Sequence, residues 1–215
     1  MRDIFTMPSN TRTHKDNNSK AICKRLGNKS VVLIGLMGAG KSAIGRRLAT
    51  RLDIPFIDAD SEIELAAGKN IADIFADHGE AYFRDGERKV IARLLGSGPQ
   101  VLATGGGAYM NNETRETIEC RGISVWLKAE LNILMERVGR RDHRPLLKTR
   151  DPKAVMQRLM DERYPVYAKA GITVESRKVP HEEIVDDIID ALTNSPALAG
   201  DGGRQTGGSR GADGR

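Results

Sequence analysis

Apolar residues in this chain fall into short uninterrupted runs that alternate with longer stretches of helical spacing. Val31 to Ile34 is one such run, ending at Gly35, and Ala43, Ile44, Leu48 and Leu52 then recur at the intervals of a single helix face. Pro55 to Asp58 reads as a second strand that leads into the helix DSEIELAAG, closed by Gly68. IADIFADHG and AYFRDGERKVIARLLG predict two further helices, each with a glycine at its end. Gln100 to Thr104 is a strand that runs into Gly105-Gly106-Gly107, and Ile123 to Leu127 is another, followed by the helix AELNILMERV. A charged, irregular segment from Gly139 to about Asp151 precedes the helix PKAVMQRLMDERYPVYAKA, the strand ITVE and the helix HEEIVDDIIDALT, with Ile184, Ile188 and Leu192 on one face. Five apolar strands alternating with helices predict an α/β fold whose mostly parallel sheet is covered on both faces.

The ends of the chain lack this pattern. Residues 1–29 are polar and aperiodic, and residues 195–215 are Gly-rich with few apolar side chains, so neither is expected to bury enough surface to offset its ordering entropy. The prediction is one domain over 30–194 between two disordered tails, which suits 215 residues with 39% hydrophobic content. No apolar run approaches the roughly 18 residues of a membrane span. The net charge of +5 would suit a nucleic-acid partner, but residues 1–29 alone carry seven Lys/Arg against Asp3 and Asp16. Residues 30–194 carry 24 basic and 25 acidic groups, so no nucleic-acid face is expected on the fold. Cys23 and Cys120 lie in a polar tail and an expected helix, with no CxxC spacing, which points to a reducing cytoplasm. The four histidines form no ligand pattern, and no helix has a spare apolar face, so a monomer is expected.

Chemistry enters at Gly35-Leu-Met-Gly-Ala-Gly40-Lys41-Ser42, which satisfies GxxxxGK[ST] after a strand and at the opening of a helix. Backbone N–H groups of such a loop cradle phosphate oxygens, the helix N-terminus adds positive potential, Lys41 reaches the β- and γ-phosphates, and the Ser42 hydroxyl can ligate Mg²⁺. A nucleoside triphosphate is therefore the expected ligand, with the acceptor still open. The NKxD sequence of a GTPase is absent.

Downstream residues narrow the acceptor. Asp58-Ala59-Asp60 follows the second strand at its carboxyl end, where alternation in an extended segment would set both carboxylates on one side. One could orient Mg²⁺-bound water or accept a hydroxyl proton while the other binds substrate hydroxyls; equally, Asp60 could only cap the helix beginning at Ser61. Arg84, one turn before Glu87 and Arg88, has the spacing of a solvated, ion-paired helix face. Three successive glycines after a strand make sense where backbone must lie against a ligand. Arg137, Arg140, Arg141 and Arg144, gathered within eight residues of a segment framed by Gly139 and Pro145, fit a mobile lid that closes over the γ-phosphate, a solvated loop or RNA patch being the alternatives. Arg163 alone would count as a cation near a helix C-terminus.

In order, GLMGAGKS, FIDAD, FRDGE, TGGG, RPLL and ERYPVY resemble the shikimate kinase family, with matches spread over about 31–167. The resemblance implies a three-layer P-loop kinase fold with a five-stranded parallel sheet flanked by helices, an Arg-rich lid, and ATP-dependent phosphorylation of the shikimate 3-hydroxyl. It implies ATP binding by Gly38, Ala39, Gly40, Lys41, Ser42, Ala43 and Arg144, and shikimate binding by Asp60, Arg84, Gly106 and Arg163. It further implies catalysis by Lys41, Asp58 and Arg144, and one Mg²⁺ held by Ser42 and, through water, Asp58. Arg137 is a weaker candidate beside the phosphoryl group, and Arg177 or Lys178 beside the adenine. Ala43 stands where many members have Thr. Two other readings remain: a gluconate kinase, and a catalytically silent nucleotide-responsive module acting through the basic N-terminal tail.

Overall fold

A computed structural model describes residues 11–139 and 151–198, with side chains from residue 18 onward. Arg140, Arg141, Arg144 and Pro145, and with them the expected lid, lie outside the described residues.

Strands β1 (Ser30–Ile34), β2 (Phe56–Asp58), β3 (Val101–Ala103), β4 (Gly122–Lys128) and β5 (Ile172–Glu175) form one parallel sheet in the order β2-β3-β1-β4-β5. The central strand sets the register, with Val31 facing Val101 on one side and Ile123 on the other. Every residue of β1 is buried, as a parallel strand covered by helices on both faces requires. The helices are α1 (Thr11–Leu26), α2 (Lys41–Leu52), α3 (Ala59–Ala67), α4 (Ile71–Leu94), α5 (Asn112–Arg121), α6 (Leu131–Gly139), α7 (Pro152–Tyr167) and α8 (His181–Thr193). The two helices expected on either side of Gly79 run as one element that breaks there, at φ 79° and ψ 177°. No helix among the described residues is long and apolar enough to cross a membrane.

Both domain boundaries need correction. The segment 1–29, expected to be a disordered tail, contains α1, whose Ile22 and Leu26 are only 1% and 2% exposed and join the main core. Two apolar residues one turn apart are too few to register as periodicity, yet they complete a surface that α2 and α8 already offer. The Cys23 thiol donates to the Leu52 carbonyl at 2.8 Å, so this residue belongs to the fold and not to a tail. Arg25 donates from Nη1 to the Thr193 carbonyl (2.7 Å) and from Nε to the Leu198 carbonyl (3.0 Å). A 3-10 turn at Pro196–Leu198 buries Leu198, so the fold runs past 194 to 198.

Candidate active site

The loop after β1 turns into α2 at Gly40, whose φ of 96° is a conformation L side chains rarely adopt. Lys41, the first residue of α2, folds back so that its ammonium donates to the Gly35 carbonyl at 2.7 Å and the Leu36 carbonyl at 3.2 Å. The loop is braced from behind. Buried Ser176, just past β5, donates to the Ala39 carbonyl at 2.8 Å and accepts from Arg137 Nη1 at 2.7 Å. Arg137 also donates to the Gly38 carbonyl (3.3 Å) and the Arg177 carbonyl (2.6 Å), which sets it against the P-loop. The side chains of Arg177 and Lys178 are instead engaged with Asp187 (2.6 Å) and Glu136 (3.0 Å) on the surface.

Ser42 and Asp58 meet: Ser42 Oγ donates to Asp58 Oδ2 at 2.8 Å. The expectation of an extended Asp58-Ala59-Asp60 segment is overturned, because α3 already starts at Ala59. Asp58 is its cap and accepts the Asp60 N–H at Oδ1 (3.2 Å), so the capping role weighed for Asp60 falls to Asp58. The Asp60 carboxylate reaches the glycine run after β3.

That run explains its own composition. A Cβ on Gly105 would stand 2.7 Å from Glu87 Oε1 and 2.8 Å from Asp60 Oδ1; on Gly106, 3.3 Å from Arg163 Nη1; on Gly107, 2.5 Å from both Nη atoms of Arg84. The glycines thus form a shelf that lets two carboxylates and two guanidiniums approach backbone directly. The close approach requires the missing side chains. All of Asp60, Arg84, Gly106 and Arg163 come together here.

The reading of Arg84 and Glu87 as a solvated helix face is also corrected. Glu87 is 2% exposed and accepts from Arg84 Nη1 at 2.7 Å, while Glu80 meets the outer edge of the same guanidinium at 3.2 Å. Burial pushes the Glu87 carboxyl up against the opposing pull of Arg84, with Asp60 pushing the same way as burial and Arg163 against it. Burial works against the Arg84 charge, but its two glutamates more than offset this and hold the guanidinium above its ordinary value. Glu87 Oε1 and Arg163 Nε are buried without hydrogen-bond partners among the described residues. Orphaned polar atoms on either side of a cation pair mark a place built to receive a polar ligand.

Glu87, Tyr167 and Ser176 were not assigned from sequence. The i,i+3 spacing concealed Glu87, since the same spacing serves exposed ion pairs. Tyr167 and Ser176 act through backbone carbonyls distant in sequence, which no local pattern reports.

A sequence model of the shikimate kinase family matches residues 37–193. A shikimate kinase of Bradyrhizobium diazoefficiens is 57% identical over 171 residues, covering 80% of this chain and 83% of that protein. One from Brucella canis is 54% identical over 184 residues, covering 86% and 92%. Among solved structures, shikimate kinase from Acinetobacter baumannii in complex with shikimate superposes with a TM-score of 0.75 at 35% identity, over 81% of this chain and 96% of that one. With a matched family model over most of its length and relatives this similar over their own, the chain belongs to the shikimate kinase family.

Proposed function

We propose that the chain transfers the γ-phosphoryl group of ATP to the 3-hydroxyl of shikimate, giving shikimate 3-phosphate and ADP. The hydroxyl oxygen bonds to γ-phosphorus as the bond to the β,γ-bridging oxygen breaks; ADP leaves with that electron pair and the hydroxyl proton is released. The observation that carries this reading is the meeting of Asp60, Arg84 and Arg163 on the glycine shelf, with Asp60 two residues after the Asp58 carboxylate that accepts from the P-loop Ser42. An acceptor with a carboxylate and vicinal hydroxyls matches two guanidiniums and one carboxylate in kind.

In this reading Gly38, Ala39, Gly40, Lys41, Ser42 and Ala43 hold the triphosphate, Ala43 by its backbone alone. Lys41 and Arg144 neutralise charge on the transferring group, Arg144 from outside the described residues. Gly106 offers backbone to the acceptor. Ser42 Oγ and the Asp58 carboxylate form an oxygen-only donor pair 2.8 Å apart, which suits Mg²⁺, a hard cation that keeps several waters. Ser42 would hold it directly and Asp58 through water, and it would supply charge neutralisation at the β- and γ-phosphates. The enzyme works as a cytoplasmic monomer with ATP and shikimate as partners, without nucleic acid or membrane, its basic excess lying in the terminal segments.

The test is ADP release with Mg²⁺-ATP and shikimate, quinate, gluconate or no acceptor. Stimulation by shikimate alone supports the assignment; preference for gluconate would transfer the chain to the rival kinase reading, and ATP binding without turnover to the silent module. Asp60→Ala is expected to abolish acceptor binding by calorimetry and leave ATP binding intact. Unchanged shikimate affinity would remove Asp60 from the acceptor pocket. Asp58→Asn keeps an oxygen for Mg²⁺-bound water but cannot take a proton, and kcat is expected to fall about 100-fold. An unchanged Mg²⁺ dependence in that variant assigns the proton to Asp58, whereas a shifted one assigns the metal-bound water.

A further inference from the structure

Tyr167 closes α7 with its side chain 0% exposed. Its ring meets Trp126 edge-on at 6.0 Å between centroids and Tyr109 at 6.4 Å, beneath the acceptor shelf. A phenylalanine would fill the same space, so packing accounts for the ring and not for the hydroxyl. Two contacts account for the hydroxyl. Its O–H donates to the Gly106 carbonyl, and the Arg163 guanidinium, one helical turn earlier at the i,i+4 position, stands against the same residue: Arg163 Nη1 lies 3.3 Å and the Tyr167 oxygen 3.9 Å from where a Cβ on Gly106 would be. Burial pushes the phenol up to about 12, with Arg163 pulling the other way. Burial thus favours the neutral phenol, which offers one donor and one acceptor.

Resting on the function proposed above, we infer that Tyr167 is a positioning residue for the acceptor carboxylate, its hydroxyl tying the Arg163 guanidinium to the Gly106 carbonyl in a fixed relation. Arginine has many rotamers, and each site that orders it in advance removes a cost from binding. Arg163 Nε has no partner among the described residues, so the Tyr167 hydroxyl supplies orientation that this edge of the guanidinium lacks. The same oxygen holds the shelf from below, so the cation and the backbone facing the ligand move together. Arg84 has a separate anchor in Glu87, which leaves each of the two guanidiniums with its own buried tether.

Tyr167→Phe separates this from packing. The variant is expected to raise the shikimate KM and the calorimetric Kd about tenfold, with kcat and the ATP KM within about twofold of wild type. Its thermal midpoint should change little, since the ring contacts survive. In an Arg163→Ala background the same substitution should add no further loss of shikimate affinity, because its effect passes through Arg163. An unchanged shikimate KM in Tyr167→Phe overturns the inference, as does an equal rise in the ATP KM, or a full tenfold loss persisting without Arg163. A wild-type protein inactive on shikimate overturns the proposed function itself, whereas an active wild type with an indifferent Tyr167→Phe overturns only the positioning role.

Discussion

Lys41→Met is expected to lower kcat by about three orders of magnitude, with the far-UV circular dichroism and the cooperativity of unfolding retained. Methionine matches the length of the lysine stem and removes only the charge and its donors. The ammonium donates to the Gly35 and Leu36 carbonyls, so it spans the loop that surrounds it and stands ready to exchange those carbonyls for phosphate oxygens. Lys41 itself is half-buried, so water can enter beside the shortened contact and the fold should survive. Stopped-flow or quenched single-turnover ADP formation reads the chemical step apart from product release. A variant with near-wild-type turnover would refute the P-loop role.

Deletion of residues 1–28 is expected to cost the domain its stability, where a disposable tail would leave turnover untouched. Ile22 and Leu26 sit in the main core against α2 and α8, and truncating either to alanine should cost about 2–5 kcal/mol. For a chain of this size that is a fall in thermal midpoint of roughly 5–20 °C for each. Differential scanning calorimetry of Ile22→Ala, Leu26→Ala and the deletion provides the comparison, and unchanged midpoints would return α1 to the status of a tail. The deletion consequently cannot by itself distinguish an enzyme from a module that binds through its N-terminus. Loss of function would follow in both cases from a damaged core.

The strands were legible because parallel strands buried on both faces read as plain apolar runs. Val31 to Ile34 and Ile123 to Leu127 needed no other cue. The nucleotide side was legible because the P-loop is local: its glycines, lysine and serine are adjacent in sequence as well as in space. The acceptor side was legible only as a family order of motifs, since Asp60, Arg84, Gly106 and Arg163 come from α3, α4, the loop after β3 and α7. Composition hid α1, where Ile22 and Leu26 are outnumbered by polar neighbours. Local geometry hid the capping role of Asp58, because a carboxylate that caps a helix and one that faces a metal-binding hydroxyl have the same sequence signature. The tethers at Tyr167 and Ser176 escaped because a hydrogen bond to a remote carbonyl leaves no mark on spacing.

The clasp of Arg25 on the carbonyls of Thr193 and Leu198 bears on how the chain is born. Among the described residues the first helix docks against the last, so its apolar face has no complete partner while the intervening residues are still being made. At about 5–20 residues per second, the interval between Leu26 and Leu198 is roughly 10–35 s. Throughout that time Ile22 and Leu26 lack the α8 side of their site, and only synthesis through Leu198 completes it. A stop codon a few residues before Thr193 would therefore leave both ends of the protein unsealed.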